Sequence, residues 1–473
     1  MKYDLVIKGC HVVDPENRLD GPACVGIKQG KVVEVAPDLD GSDAMRVLRF
    51  PGKLLIPGMI DIHVHCSSWL GGSLGFGMLA KAGVTTAVDL AGPVTDVIEN
   101  MKTRGSGINM AVLNAVHPGN TVSSDNPSFA ELQDMVKKSL EAGALGVKVL
   151  GGHYPLTPEA TRNVIRAANE QRAYVAFHAG SKKNGSNIRG AMDAIEFSEG
   201  RPFHLAHVNA YCRGLVLGDP IVEVIQLLEA LERNPQIISE FHLAIINGTS
   251  GKCINGEPES HITRTALKMG GYPPTEEGLK SAFIGGWGYC TGENIDGENV
   301  YLTGREALEY WESRGGDCTV GFPVNNRTTA FLCATGRDSE GKFVIDALGT
   351  DGGGIPRNFL LKFGLLLVEW GSWTLSEFVE RTSRAPAQML GLVNKGHLSP
   401  GADADITIAD LEKRQAVATI VGGEVVCSNG VVTGRGGTIL CTERGVTACK
   451  ERGIPYQVVD LGQSMLYRRE NRF

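Results

Sequence analysis

The chain lacks the features that would send it to a bilayer, a nucleic acid or an extracellular surface. No apolar stretch reaches the roughly 18 residues needed to cross a membrane. Met1 to Gly9 carries Lys2, Asp4 and Lys8 where a signal peptide would be continuously apolar. Positive charge is in deficit, 46 Lys and Arg against 53 Asp and Glu, so the basic footprint of a nucleic-acid binder is missing. The 11 cysteines include no C-x-x-C pair, are odd in number and are scattered from Cys10 to Cys449. That pattern argues for reduced thiols in a cytoplasm rather than a disulfide framework. What is present is ordinary globular material: 473 residues, 42% of them hydrophobic, are enough for a large core. Glycine is abundant, at 61 residues, but without a period, so it marks turns and close backbone approach rather than collagen.

Hydrophobic texture divides the chain. Short β-branched runs such as Tyr3–Ile7, Ala23–Ile27 and Lys31–Val35 are separated by Gly, Pro, Asp and Asn, and the texture returns in Ala404–Ile408, Ala418–Val421 and Glu424–Cys427. Residues 1–56 and 392–473 are therefore expected to form one composite β module, a small sandwich built from both chain ends. Between them, strands alternate with helical spacing: helix 128–141 and strand 144–150, helix 158–171 and strand 173–178, helix 187–199 and strand 203–208, helix 221–233 and strand 237–241, then strand 344–350 and helix 374–390. Repeated βα units imply a parallel sheet, and their number favours an α/β fold of the (β/α)8 barrel type over 57–391. Residues 247–341 break the rhythm and, being rich in Gly and Asn, read as long loops over the barrel mouth.

Chemistry-bearing residues fall at the C-terminal ends of these strands. His63 and His65 close the run Leu54–Ile62, and side chains at i and i+2 of a strand share a face, so two imidazoles can reach one cation. His178 ends Tyr174–His178 and His207 ends Phe203–His207, whereas His204 is expected to face the other way. Asp351 precedes three glycines after Leu348–Thr350. Lys148 sits inside the apolar strand Leu145–Leu150, where a lysine is rarely buried without a partner. It either snorkels to water or, as a neutral amine, takes up CO2 to become an anionic carbamate. Nitrogen and carboxylate donors around an open position suit Zn2+, with Mn2+ or Fe2+ as alternatives.

The order H-x-H, K, H, H, D closely resembles the amidohydrolase superfamily, in its binuclear hydantoinase, dihydroorotase and deacylase branch. Pro57-Gly58-Met59-Ile60-Asp61-Ile62-His63-Val64-His65 resembles the opening motif, Gly83-Val84-Thr85-Thr86 the second-strand signature, and Gly396-His397-Leu398 through Gly401-Ala402-Asp403-Ala404-Asp405 the segment re-entering the β module. The resemblance implies a hydrolase of an amide or cyclic amide C–N bond with two divalent metal ions. His63 and His65 would hold the buried ion, a carboxylated Lys148 would bridge both, His178 and His207 would hold the more exposed one, and Asp351 would bind the buried ion and move the proton. It further implies a small-molecule substrate, no nucleic-acid or membrane partner, and a homo-oligomer, dimer or tetramer, against which the tail with Tyr467, Arg468, Arg469, Arg472 and Phe473 could pack.

Several features depart from hydantoinases. The oxyanion donor expected about five residues after the lysine is open between His153 and Tyr154. The short His178–His207 interval and the long His207–Asp351 interval are nearer those of D-aminoacylases, and the latter also resembles the amidohydrolase-like subunit of formylmethanofuran dehydrogenase. The strand-two cysteine of D-aminoacylases has no counterpart in Ala87–Leu90. An N-acyl or N-formyl deacylase, or a subunit of a larger complex, is therefore the alternative. A deaminase, or a non-catalytic dihydropyrimidinase-like scaffold, is disfavoured by Lys148 and by the complete ligand set. For the substrate pocket, His242, Asn247, Asn326 and Arg327 are the candidates, with Glu240, Ser250, Lys252 and Asn325 beside them, and Cys66 reads as packing.

Overall fold

In a computed structural model that describes residues 1–468, the middle of the chain is a curled parallel sheet. Its strands are β1 (Met59–His65), β2 (Val84–Asp89), β3 (Ser106–Val116), β4 (Gly146–Leu150), β5 (Tyr174–His178), β6 (Phe203–Leu205), β7 (Ile237–Phe241) and β8, split into Ala347–Leu348 and Gly352–Gly353. Each pairs in parallel with the next. The first half of β8 pairs with β7 and the second half pairs with β1, so this one segment closes the sheet on itself. The fold class is the expected one, a (β/α)8 barrel with a sheet built from the chain ends.

The strands read as continuous apolar runs because both faces are covered. In β4, Val147 and Val149 pack outward with Leu132, Val164 and Ala168 of the surrounding helices. Alternation then turns Lys148 to the barrel interior, where it is fully buried. The helices begin where side chains cap them: Thr157 accepts from Ala160 N before Pro158–Glu170, and Asp219 from Ile221 N before Pro220–Glu232.

Leu54–Pro57 meets Ile406–Asp410 in antiparallel register (Leu55 opposite Ile408), and this pairing joins the N-terminal strands to the C-terminal ones in a single sheet. Within 392–473, Gly436–Cys441 leaves that sheet and runs parallel to β3 (Ile439 opposite Met110), with Tyr456–Val458 beside it. Tyr467 folds back to donate to the Ala173 carbonyl at 2.7 Å, whereas Arg469, Arg472 and Phe473 lie outside the described residues.

Residues 247–341 correct the expectation of long loops. Asn247–Ser250, Thr319–Phe322, Tyr289–Glu293 and Asn299–Leu302 form a separate antiparallel sheet covered by helices His261–Met269, Glu276–Ile284 and Gly304–Ser313. The glycines there punctuate short elements, and Leu267, Leu279, Phe283, Trp311, Val320 and Phe322 bury a core of their own.

Asp405 explains the re-entry motif physically. Its carboxylate accepts from Lys395 Nζ at 2.6 Å, from Asn109 Nδ2 of β3 at 2.9 Å and from Gly422 N at 2.8 Å, all within the seam between barrel and end sheet. Replacing it by Ala leaves the buried Lys395 ammonium, among the described residues, with the Asp403 carboxylate alone. We expect Asp405→Ala to lose about 3–5 kcal/mol in urea unfolding, with Lys395→Met restoring part of it. A loss below about 0.5 kcal/mol would show that the seam does not depend on this contact.

Candidate metal centre at the barrel rim

Asp61, His63 and His65 alternate with apolar residues along β1 and share one face. Asp61 accepts from Thr350 Oγ1 at 2.5 Å and from Thr350 N at 3.1 Å, which fastens β1 to the closing segment. Burial pushes the Asp61 carboxyl up to about 7. The next residue of that segment, Asp351, has a left-handed backbone with φ of 54°, and His207 has one with φ of 33°. Such conformations are costly for residues other than glycine and collect at functional sites. In this chain they carry two side chains past the ends of their strands and into the rim.

His63, His65 and Asp351 place their donor atoms within 4.8 Å of one another. Asp351 Oδ1 lies 2.8 Å from His65 Nε2 and 3.3 Å from His63 Nε2. A second pair forms where His178 Nδ1 and His207 Nε2 approach to 3.0 Å, and His207 stacks on His63 with ring centres 5.2 Å apart. The four imidazoles and Asp351 are thus gathered at one rim. Among the described residues, Lys148 Nζ is enclosed without a hydrogen-bond partner, as are His65 Nδ1 and His207 Nδ1. Burial lowers the Lys148 amine to about 8, although Glu240 and Asp351 pull the other way.

Two residues orient this set, and their roles were not foreseen from the sequence. Glu240, near the end of β7, accepts from or shares a proton with His63 Nδ1 at 2.7 Å, accepts from the His207 backbone N at 2.7 Å, and pairs with His204 Nε2. His204 faces into the barrel as this link and bonds Tyr174 through Nδ1. Burial alone would raise the Glu240 carboxyl, but His204 and His63 hold it well below the usual range. Arg357 donates to Asp351 Oδ2 and to the Asp351 carbonyl, each at 2.5 Å, and its Nη1 donates to Ile246 O at 2.7 Å. Burial opposes ionisation of Asp351, and Arg357 with His63 and His65 overcomes it. Nothing in the sequence signals either contact, because the partners lie 177 residues from Glu240 in one case and on an irregular turn in the other.

The remaining candidates separate. His153 stands edge-on to His178 with ring centres 5.2 Å apart, while Tyr154 turns away to His117 at 3.8 Å and Trp69 at 6.4 Å. His242 is buried 6.1 Å from the His207 ring. Asn247 starts the small inserted sheet. Asn326 does not face the cluster with a free amide oxygen: that oxygen caps helix Arg327–Thr335 by accepting from Thr328 N and Thr329 N. Arg327 is exposed at the start of this helix. Cys66 is buried, and its environment pushes the thiol well up, as packing requires. Gly152 is needed for close approach, since a β-carbon there would fall 2.2 Å from His178 Nε2.

Comparison with known proteins agrees with this geometry. A family model described as the amidohydrolase family matches residues 333–435. A dihydroorotase of Streptococcus thermophilus is 28% identical over 207 residues, covering 42% of this chain and 47% of that one, so the match spans about half that relative's length. An allantoinase of Bacillus velezensis is 23% identical over 450 residues, covering 86% of this chain and 85% of its own. Among solved structures, an N-acyl-D-glutamate deacylase of Bordetella bronchiseptica superposes with a TM-score of 0.66 at 16% identity, covering 93% of this chain and 99% of that one. The matched segment, the long alignments and the shared barrel are what this chain has in common with the amidohydrolase family.

Proposed function

We propose that the protein is a metal-dependent hydrolase of an amide or cyclic amide C–N bond. The observation that carries this reading is the enclosed, unpartnered amine of Lys148 at a rim where four imidazoles and Asp351 converge. Buried polar atoms without partners are rare, and here Lys148 Nζ, His65 Nδ1 and His207 Nδ1 occur together. That set fits divalent cations. His63, His65 and Asp351 would hold one, His178 and His207 the other, with Zn2+ the best match to nitrogen and oxygen donors. Lys148 as a carbamate would serve both, and its lowered proton affinity favours the neutral amine that such a modification requires. Two bound cations would supply a water acidified to a pKa of about 7 and polarisation of the amide carbonyl.

The chain's own groups do the rest. Glu240 engages His63 Nδ1 and leaves Nε2 as the free donor, the usual work of a carboxylate behind a ligating histidine. Arg357 keeps Asp351 ionised, and an ionised carboxylate can take the proton of water and return it to the leaving nitrogen. His153, beside His178, is the better placed of the two oxyanion-donor candidates, because Tyr154 is engaged in an aromatic shelf with His117 and Trp69. The deacylase of similar fold was solved with zinc and a phosphonate mimic of the tetrahedral intermediate, which supports the same class of chemistry here. Eleven free cysteines support a reducing compartment, the cytoplasm. The exposed Leu215, Leu217, Ile221, Val222 and Ile225, around the start of one helix, support a homo-oligomer.

Metal analysis of freshly purified protein should find about two divalent ions per chain. Screening hydantoins, dihydropyrimidines, lactams, N-acyl-amino acids and N-formyl compounds should reveal hydrolysis, and a metal-free yet fully active protein would contradict the proposal. Lys148→Ala should lose metal and activity together, with partial rescue by short carboxylic acids; full activity in that variant would leave the lysine a structural role only. Glu240→Gln should weaken zinc binding by roughly 10–100-fold. An unchanged zinc affinity would remove Glu240 from the account.

A further inference from the structure

Arg381 is 1% exposed, on the helix side of the barrel wall. Pro386, just beyond it, has no N–H, and its ring crowds the carbonyl four residues back, so an ordinary helical turn is excluded. Glu380–Arg384 accordingly widens to a π-turn closed by Ala385 N on Glu380 O. Such turns are frequent at functional sites. Ser383 of the same turn donates to the Pro57 carbonyl at 3.0 Å, just ahead of β1. The Arg381 guanidinium lies 4.1 Å from the centre of the Phe343 ring, 5.1 Å from that of Trp373 and 5.3 Å from that of Phe241. Among the described residues, its Nε and both Nη atoms have no hydrogen-bond partner. Arg337, which also lies over Phe343, at 3.8 Å, is by contrast paired with Glu377. Aromatic faces offset only part of the hydration that a buried guanidinium loses, and a methionine would fill the same space without that penalty. Stability therefore does not account for a cation at this position.

Phe241 shows what the cation reaches. It follows Glu240 and ends β7, so its ring points outward where the Glu240 carboxylate points in. Trp373 meets that ring edge-on at 6.3 Å, and the Phe241 carbonyl accepts from Gly349 N at 2.9 Å. On the other side of Glu240, Ser239 N donates to Asp346 Oδ2 at 2.7 Å, and Ser239 O accepts from Asp346 N at 3.1 Å. Burial works against the Arg381 charge, and Asp346 favours it. Both chain neighbours of Glu240 are thus held by groups that Arg381 faces. We propose that Arg381 is a positioning residue for the rim: caged against Phe241, it fixes the end of β7 and so keeps Glu240 aimed at His63 and at the His207 backbone. The assignment rests on the metal-centre reading and places a further layer behind Glu240.

Zinc affinity, read by competition with a chromophoric chelator, should fall about 10-fold in Arg381→Met, the low end of the effect of losing a partner behind a ligating histidine. Arg381→Lys, which keeps a cation among the rings, should recover most of that loss. In a Glu240→Gln background Arg381→Met should lower the affinity no further, because the arginine acts through that carboxylate. Unchanged affinity in Arg381→Met, or the same loss in both backgrounds, would overturn the assignment, since a side chain that merely packs is indifferent to Glu240. A second readout needs no metal. In protein labelled with 15N-histidine, the Nδ1 proton of His63, identified by its loss in Glu240→Gln, should exchange with solvent roughly 3–10-fold faster in Arg381→Met; an unchanged rate overturns the positioning role. If the wild type binds no zinc, or binds it and cleaves no amide, the hydrolase reading fails, and the exchange rate in metal-free protein still decides the assignment. Should Arg381→Met not fold, Phe241→Leu, which removes the ring and leaves the arginine, is judged by the same criteria.

Discussion

Glu240 reaches three places from near the end of β7: the imidazole of His63 on β1, the imidazole of His204 on β6, and the backbone nitrogen of His207 just beyond β6. A buried carboxylate is tolerated only when its lone pairs are engaged, and in this barrel the engagement fixes the imidazoles. His63 is held so that one ring nitrogen is spent on the carboxylate and the other faces Asp351. His207 is held at its backbone in a left-handed conformation that its own φ preference would not select. The rim depends on this carboxylate more than on any single donor, because without it two of the four histidines lose what aims them.

The same logic extends outward. Asp61 bonds Thr350, and this locks the closing segment so that Asp351 emerges beside His63 and His65. Arg357 then clamps Asp351 from the far side. Between the two short halves of β8, Asp351 takes a left-handed backbone while its nitrogen still bonds the His63 carbonyl at 2.9 Å, so the acid is carried at the rim by a segment that stays attached to β1. Asp405 does for the outer seam what Glu240 does for the rim, holding Lys395, β3 and the end sheet through one buried carboxylate.

Much of this could be read from the amino-acid order because it is periodic. Helices Pro158–Glu170, Ile188–Ser198 and Pro220–Glu232 fall within a residue or two of the apolar spacing, and Ile237–Phe241 coincides with its run. The histidines and Asp351 were legible because they end strands, and strand ends of a parallel barrel face one rim. Three things were not legible. The inserted sheet of 247–341 was masked by its glycines, since a small core of apolar side chains spread over many short elements leaves no period. Alternation predicts that His204 faces away from His207, but His207 lies past the strand on a left-handed turn, so the two side chains need not oppose each other. Glu240 and Arg357 act through partners remote in the chain or on irregular turns, and the helix-capping bonds of the Asn326 side chain leave no trace in the pattern.

The central claim is that nitrogen and oxygen donors of one rim gather a pair of divalent ions. X-ray absorption at the zinc edge of reconstituted protein tests it most directly. The account predicts a first shell of nitrogen and oxygen at about 2.0–2.1 Å with no sulfur, and a metal–metal distance of about 3.5–4 Å. A zinc–sulfur distance of about 2.3 Å would put the metal on cysteines elsewhere in the fold and contradict the account.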